Sequence, residues 1–114
     1  MFQLIGRVEL YYDSIDAGNT DTALQIFDPK AIYDRGRRRI NGELAKFYHN
    51  DRDIDDSRHI IKKIAASNGI VAVMGTFVGT NKSGEPLETD FKDVFIFQND
   101  LVIYRVTEFL GQEV

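Results

Sequence analysis

The architecture of this chain follows from residues 57–110, which read SRHIIKKIAASNGIVAVMGTFVGTNKSGEPLETDFKDVFIFQNDLVIYRVTEFL. Runs rich in Val, Ile, Phe, Thr and Tyr predict strands at about 57–67, 70–79, 87–98 and 101–110. The runs are separated by turn signals at Asn68-Gly69, Asn81 to Gly84, and Asn99-Asp100. Because connections this short make consecutive strands antiparallel neighbours, the sequence predicts a four-stranded meander.

The N-terminal part shows helical periodicity instead. One stripe of a 3.6-residue helix is formed by Leu4, Ile5, Val8, Tyr11, Tyr12 and Ile15. Gly18 follows as the residue that ends this helix. A second, short helix is expected to carry Ala23 to Phe27 and to stop at Pro29.

The middle of the chain predicts a short strand at 31–34 that ends at Gly36. A polar stretch, Arg37 to Arg39, then leads into a third helix whose apolar face includes Leu44 and Phe47. Helices followed by a long meander predict an α+β fold with the helices on one face of the sheet. With 114 residues and no linker or repeat, we expect a single domain over 1–114.

Composition excludes several classes of function. The chain has no cysteine and only two histidines, so neither thiol chemistry nor a His-rich metal site is expected, and we predict no cofactor and no metal. The net charge of −4 argues against a nucleic-acid partner. No apolar run is long enough to span a membrane, and the N-terminus lacks the features of a signal peptide, so we expect a cytoplasmic protein.

Two strands are apolar on both faces. Residues 70–74 read IVAVM and residues 94–97 read VFIF, whereas a half-solvated strand alternates apolar and polar residues. Three short helices cover only one side of a sheet. Leaving the apolar side chains of the second side exposed to water would lose several kcal/mol of hydrophobic stabilisation, at about 25 cal/mol per Å² of apolar surface. We therefore expect a homodimer in which a second copy covers the outer sheet face.

The order of helices and strands resembles the nuclear transport factor 2-like superfamily, and most closely its SnoaL-like polyketide cyclase and ketosteroid isomerase-like branch. The likeness is carried by 11–18 (YYDSIDAG), 21–34 (DTALQIFDPKAIYD), 40–42 (ING), 47–48 (FY), 75–79 (GTFVG) and 90–95 (DFKDVF). It implies a strongly curved antiparallel sheet with the helices in its concave face, forming a cone or half-barrel with a central apolar pocket. Such a pocket is the default place for a hydrophobic small-molecule ligand.

Asp93 is the first candidate for catalysis, because it shares a strand face with Phe91 and Phe95. The resemblance implies that Asp93 is a neutral acid that donates to a developing oxyanion. The same resemblance places Tyr11 beside it as a second donor, although a shift of one residue would exchange Tyr11 with Tyr12. If Asp93 instead pairs with an arginine, it is held ionised and suits a general base or a structural ion pair.

The position of the general base is ambiguous. The isomerase pattern needs an aspartate at the end of the first strand, where this sequence has Arg35, with Asp34 one residue earlier. Since successive strand residues face opposite sides, either Asp34 enters the pocket through a change of register or this base is lacking. In cyclase relatives the base is an acid on a late strand, here Asp93 or Asp90.

The last strand places Arg105 in phase with Phe109, so that Arg105 and Asp93 meet if this face is the inner one. Arg58 and His59 point to opposite sides of their strand; one of them enters the pocket, and His59 is a candidate proton shuttle. The expected substrate-binding residues are Arg105, Arg58, Arg35, Phe91, Phe95, Phe109, Tyr33 and Phe47. The arginine cluster from 35 to 39 either attracts an anion or is a solvated loop.

Two classes of function fit these residues. The first is a cofactor-independent enzyme that transfers a proton on an apolar carbonyl compound, as a cyclase, isomerase or dehydratase does. The second is a noncatalytic module that binds a hydrophobic ligand or dimerises. Epoxide hydrolysis, a third reaction, would need paired carboxylates and an arginine, for which Asp93, Asp90 and Arg105 are imperfect candidates. Catalysis is favoured over binding if Asp34 or His59 joins Asp93 in the pocket.

Overall fold

A computed structural model describes residues 2–114 of the chain. The helices are α1 (Phe2–Asp16), α2 (Thr20–Leu24) and α3 (Leu44–Lys46), and α3 continues as a π-helical turn over Phe47–Asp51. The strands are β1 (Phe27–Arg35), β2 (Arg38–Asn41), β3 (Asp56–Ser67), β4 (Ile70–Thr80), β5 (Pro86–Gln98) and β6 (Leu101–Phe109). The α+β class and the four-stranded meander are therefore confirmed.

The six strands form one sheet in the order β2-β1-β6-β5-β4-β3. This sheet differs from the expected antiparallel one, because β1 runs parallel to β6 and makes the sheet mixed. It is also open, since β2 and β3 are the two edges and do not pair with each other. Parallel pairing is possible because β2, α3 and the first three strands of the meander lie between β1 and β6 along the chain.

The hairpin turns of the meander use the predicted residues. Asn68 and Gly69 both have positive φ, at 51° and 77°, as do Asn99 and Asp100, at 52° and 65°. Two successive residues of this kind form the turn whose twist matches that of the flanking strands. Asn side chains tolerate the left-handed region, and the turn residues therefore set the register of both hairpins.

The middle segment departs from the expectation in two places. Phe27 does not end α2 but begins β1, which continues through Pro29 as an extended strand. The polar stretch is not a loop, because Arg38 to Asn41 form β2 in a hairpin with β1. Of the four residues in β2 only Ile40 is buried, so the alternation that marks a strand is too short to be seen in the sequence.

Helix α1 packs across the sheet and contacts β3 and β4. Its buried face consists of Val8, Tyr11, Tyr12, Ser14 and Ile15, which includes most of the predicted stripe. Adjacent tyrosines both enter the interior because they flank the middle of this stripe. The same face of α1 therefore brings two phenol groups to the centre of the sheet.

Candidate functional site

The site lies on two rungs of the sheet where β1, β6 and β5 run side by side. Tyr33 pairs with Arg105, which pairs with Phe95. On the next inward rung, Arg35 pairs with Thr107, which pairs with Asp93. Residues two apart on a strand share a face, so these side chains all project from the same face of the sheet.

A cavity of about 20 Å³ lies between these rungs and the helices. A space of this size holds one group as large as a water molecule. Its aromatic wall is formed by Tyr11, Tyr33, Tyr48, Phe77, Phe91 and Phe109. The interior is thus mostly filled by the protein's own side chains, in contrast to the roomy apolar pocket expected from the resemblance.

Asp93 and Arg105 form a buried ion pair. Arg105 donates from Nη2 to Asp93 Oδ2 over 2.8 Å and from Nε to Asp93 Oδ1 over 3.2 Å. The Asp93 side chain is 1% exposed and that of Arg105 is 4% exposed. The expectation that these residues meet across adjacent strands agrees with the geometry.

Asp93 accepts two further hydrogen bonds, from Tyr12 over 2.5 Å to Oδ2 and from the Thr107 hydroxyl to Oδ1. Burial opposes ionisation of Asp93, but the charge of Arg105 and these hydrogen bonds hold its pKa below the usual value. These contacts favour the ionised carboxylate over the neutral acid that the resemblance implies. Four donors occupy its acceptor positions, so Asp93 has no lone pair available for a substrate proton.

Two tyrosine hydroxyls bind the other end of Arg105, and a third tyrosine, Tyr33, contacts it through its ring. Its Nη1 donates to Tyr11 over 2.6 Å and to Tyr48 over 2.8 Å, and these two hydroxyls are 2.5 Å apart. The Tyr33 hydroxyl lies 2.8 Å from the Thr107 hydroxyl. Because Thr107 donates its single hydroxyl proton to Asp93, Tyr33 is the donor in this hydrogen bond. The guanidinium also lies over the rings of Tyr11 and Tyr33, at 4.8 and 4.5 Å from their centroids.

The Tyr11 and Tyr48 hydroxyls carry two protons but have only one acceptor between them. Burial raises the pKa values of Tyr11 and Tyr48, so both phenols keep their protons. One hydroxyl donates to the other, and neither can donate to Arg105, which has only donors. One hydroxyl proton of the pair therefore remains for an acceptor in the cavity that both residues line.

His59 lines the same cavity and is held by Asp16 at the end of α1. Its Nδ1 lies 2.7 Å from Asp16 Oδ1, and its backbone N–H donates to Asp16 Oδ2 over 2.7 Å. Ser57 donates to Asp16 as well, over 2.8 Å. These hydrogen bonds help to lower the pKa of Asp16 although its partial burial opposes ionisation.

The protonation state of His59 follows from these contacts. Burial lowers its pKa, and this outweighs the opposing effect of Asp16, so the imidazole is neutral at pH 7. Because ionised Asp16 only accepts hydrogen bonds, the single ring proton lies on Nδ1. Nε2 then carries a lone pair and has no hydrogen-bond partner within residues 2–114. The ring packs among Tyr12, Phe77 and Phe91, with centroids 4.9 to 5.6 Å apart.

The structure resolves both ambiguities of strand facing. Arg35 lines the cavity, whereas Asp34 lies on the other face, where it pairs with Arg39 over 2.7 Å. On β3 it is His59 that enters the cavity, and Arg58 is exposed. Asp34 and Arg58 are therefore not brought to the site.

Asp90 also lies outside the cavity, exposed beside Thr76, whose hydroxyl donates to it over 2.6 Å. The epoxide hydrolase arrangement of two carboxylates therefore does not form around Arg105. Of the aromatic candidates, Tyr33, Phe91 and Phe109 line the cavity, while Phe95 is fully buried beneath it. Phe47 lines a neighbouring open groove of about 270 Å³.

Sequence reasoning did not single out Asp16, Tyr48, Thr107 and Arg52 as site residues. Asp16 could have been found, because it follows Tyr12 by four residues and so shares its face of α1. Thr107 is likewise two residues after Arg105 on one strand face. Nothing local distinguishes Arg52, which lies in a charged segment typical of a solvated loop.

Within residues 2–114, no group of three or more His, Asp or Glu side chains is arranged to hold a metal ion. None of the helices over this range combines the length and the apolar character that crossing a membrane requires.

No protein-family model matches the sequence, and no curated protein matches it at a significant level. Solved structures do match. A nuclear transport factor 2-like protein of unknown function from Burkholderia pseudomallei superposes with a TM-score of 0.82 at 18% identity, covering 96% of this chain and 92% of that one. An LEH-like epoxide hydrolase from M. tuberculosis superposes with a TM-score of 0.83 at 17% identity, covering 95% of this chain and 83% of that one.

A candidate SnoaL-like polyketide cyclase from a Jannaschia species gives a TM-score of 0.79 at 13% identity, covering 96% of this chain and 86% of that one. Similarity at this level of identity establishes the fold and not the reaction, because one fold hosts many reactions. The resemblance inferred from the order of elements is thus confirmed, and the chain has the nuclear transport factor 2-like fold.

Proposed function

We propose that this protein is a cofactor-independent enzyme that moves a proton on a carbon next to a carbonyl group. The observation that carries the proposal is that His59 and the Tyr11–Tyr48 pair line one cavity. His59 offers an unprotonated Nε2, and the tyrosine pair offers one free hydroxyl proton. A base and an oxyanion donor on one small space are the two groups that enolisation needs.

In the proposed reaction, His59 Nε2 takes a proton from the carbon beside the carbonyl. The electrons of the broken C–H bond form a C=C bond, and the carbonyl π electrons move to oxygen. The resulting enolate oxygen accepts the hydrogen bond from the Tyr11–Tyr48 pair, which Arg105 polarises. Returning the proton to the same carbon gives exchange only. In a substrate whose carbonyl is followed by a β,γ double bond, the dienolate oxygen re-forms the C=O bond and the C=C bonds shift. The γ-carbon then takes the proton from the imidazolium, which Asp16 stabilises, so that an isomerisation is completed.

Asp93 is a positioning residue in this scheme. It orients Arg105 through two hydrogen bonds, and Arg105 in turn orients the two phenols. The reacting carbonyl and the carbon beside it enter the cavity that His59 lines, which at about 20 Å³ must widen to receive both, and the rest of the substrate occupies the open groove of about 270 Å³ beside it. Cavity and groove are adjacent because both are lined by Arg35, Arg52 and Val114.

The test is proton exchange at C1 of 2-indanone in D₂O, followed by ¹H NMR. We expect the protein to accelerate exchange above the buffer rate and His59→Gln to lower this acceleration about 100-fold or more. The rate falls at low pH with a midpoint below 6.5, because burial lowers the pKa of His59. His49→Gln is the matched control, since His49 also contacts an aspartate, Asp21 over 3.0 Å, but at the surface.

Undiminished exchange in His59→Gln, with a melting curve like that of the parent protein, would contradict the proposal. No acceleration of exchange by the parent protein would favour the second candidate, a noncatalytic module that binds ligands or dimerises. That candidate has its own support in the outer sheet face, where Ile60, Ile70 and Met74 are 40 to 44% exposed. We propose that a second copy covers this face, so that light scattering gives twice the mass of one chain, and a single-chain mass at micromolar concentration would refute it.

A further inference from the structure

A short segment without helix or strand follows β6. Residues 110–114 read LGQEV, and we call them the strap. The Leu110 N–H donates to the Asp90 oxygen over 2.9 Å, which is the last backbone hydrogen bond at this end of β6. Within residues 2–114, no backbone group of residues 111–114 pairs with another backbone group, and residues 111–113 are exposed. The strap is therefore not held by the ladder of hydrogen bonds that fixes the strands.

The strap reaches the point where the cavity opens. Val114 is half-buried against the hydrophobic core, and it lines both the cavity of about 20 Å³ and the open groove of about 270 Å³. The groove and the cavity thus meet at Val114, beside Arg35 and Arg52, which also line both spaces. A ligand that enters from the groove has to pass Val114.

The hairpin of β1 and β2 holds the strap. Arg35 donates from Nη1 to the main-chain oxygen of Val114, and the Arg37 N–H donates to Glu113 Oε1 over 2.6 Å. Gly36, which lies between the two donors, has a φ of 59°, and a Cβ atom there would overlap the Glu113 carboxylate. Three successive residues at the end of β1 and in the turn after it thus form the seat of the strap.

We infer that the strap is a gate, and that the cavity admits a ligand only when residues 111–114 leave the hairpin. The strap is seated by two hydrogen bonds and the packing of one side chain, and segments with so few buried contacts open at low free-energy cost. In the closed state the cavity holds one group as large as a water molecule. Removal of Val114 joins the cavity to the groove and supplies the room for a larger ligand. This inference stands apart from the proposed reaction, because it concerns access to the cavity whatever enters.

The test measures how fast diethyl pyrocarbonate modifies His59, which lines the cavity and has no hydrogen-bond partner for Nε2 within residues 2–114. The Nε2 lone pair attacks a carbonyl carbon of the reagent, the C–O bond of the anhydride breaks, and ethyl carbonate leaves. His49 is the internal reference, since its side chain is 47% exposed. Mass spectrometry of the peptides that contain each histidine gives both rates. In the parent protein we expect His59 to react more slowly than His49, because the closed strap excludes the reagent.

Two substitutions open the gate. Val114→Gly removes the side chain at the mouth, and Glu113→Ala removes the acceptor of the Arg37 N–H. We expect each to raise the rate at His59, relative to that at His49, at least about fivefold. Gln112→Gly is the matched control, because it adds the same backbone freedom at an exposed residue that does not line the cavity, and it should leave the ratio unchanged.

An unchanged ratio in both variants, or an equal rise in Gln112→Gly, would overturn the inference. Thermal melting shows which variants are folded, and two opening variants are used so that misfolding of one does not remove the test.

A cross-link tests the closed state. The chain has no cysteine, so the double variant Arg37→Cys, Glu113→Cys carries one thiol on each side of the contact that seats the strap. A bismaleimide joins the two thiols, whereas N-ethylmaleimide caps them separately. We expect His59 to react at least about fivefold more slowly in the cross-linked protein than in the capped one. Equal rates would contradict the gate.

The outcomes separate this inference from the proposed function. Faster modification of His59 in Val114→Gly, together with no acceleration of 2-indanone exchange by the parent protein, would refute the enzymatic proposal alone. Accelerated exchange by the parent protein, together with modification of His59 that no strap variant changes, would refute the gate alone.

Discussion

Two aspartate–arginine pairs on neighbouring strands make the same contacts in opposite surroundings. Arg105 donates two hydrogen bonds to Asp93, over 2.8 and 3.2 Å. Arg39 likewise donates two to Asp34, over 2.7 and 2.8 Å. The side chains of the first pair are 4% and 1% exposed, and those of the second are 60% and 24% exposed. Since the contact geometry is alike, the effect of removing one partner depends on burial.

The likeness extends to a third partner. Tyr12 donates to the carboxylate of Asp93, and Tyr104 donates to that of Asp34. In the interior, removal of one partner leaves a charge with neither water nor a counter-ion. At the surface, water and salt replace the lost partner, and the pair contributes little. The chain therefore contains its own exposed control for each change in the buried cluster.

The largest effect is expected from Asp93→Asn, which leaves the Arg105 guanidinium buried and uncompensated. We expect it to lower the free energy of unfolding by about 3–5 kcal/mol, measured by urea denaturation. Asp34→Asn is the matched control and should shift Tm by no more than about 2 °C. If both variants were equally stable, the buried pair would not be structural, and a purely catalytic role for Asp93 would regain support.

A smaller effect is expected from removing one hydroxyl at each carboxylate. Tyr12→Phe keeps the ring but deletes a hydrogen bond to buried Asp93, at a cost of about 1–2 kcal/mol in the free energy of unfolding. Tyr104→Phe deletes the matching bond at Asp34 and should leave the urea midpoint unchanged within error. A larger loss for Tyr104→Phe than for Tyr12→Phe would reverse the assigned importance of the two sites.

The smallest effect concerns acid and salt. Hydrogen bonds from Arg39 and Tyr104 lower the pKa of Asp34 to about 2, and the pKa of Asp93 is lowered mainly by Arg105 against the opposing effect of burial. The folded state therefore binds fewer protons than the unfolded state, whose aspartates titrate near pH 4. Stability from both groups is complete above that pH and falls as the pH drops toward the folded values.

Salt separates the two contributions, since screening weakens the exposed pair much more than the buried one. At low salt, the free energy of unfolding of Asp34→Asn should depend less steeply on pH between about pH 5 and pH 2 than that of the parent protein. At about 0.5 M salt the difference between the two pH dependences should become smaller, because screening weakens the charge interaction and leaves the hydrogen bonds. A difference as large at high salt as at low salt would indicate that Asp34 is shielded from solvent, contrary to its exposure in the structure.

Much of the fold could be predicted because its signals are local. Alternation, β-branched residues and two-residue turns such as Asn68-Gly69 identify the meander from short windows. Strand β2 was not predicted, because only Ile40 of its four residues is buried and its pairing with β1 depends on a turn at Gly36. The parallel pairing of β1 with β6 was not predicted either, since no local pattern encodes which distant strands become neighbours.

The candidate site was predicted in part. The meeting of Asp93 and Arg105 could be anticipated, because phase along two adjacent strands places them on one face. The contact of His59 with Asp16 could not, since these residues are 43 positions apart and meet only where α1 crosses β3. The full occupation of the Asp93 carboxylate likewise required the positions of Tyr12 and Thr107.

Local sequence patterns are sufficient to specify most of the helices and strands: the periodicity of α1, the alternating strands and the turns between them. They also determine that a carboxylate and a guanidinium share the inner face of β5 and β6. The packing of segments distant in the chain, by contrast, pairs Asp93 with Arg105 in the interior while Asp34 faces the surface. It also places His59, whose Nε2 has no hydrogen-bond partner within residues 2–114, in the cavity that Tyr11 and Tyr48 line. The reason is that backbone pattern acts over a few residues, whereas charge state and reactivity depend on every group packed around an atom, wherever it lies in the chain.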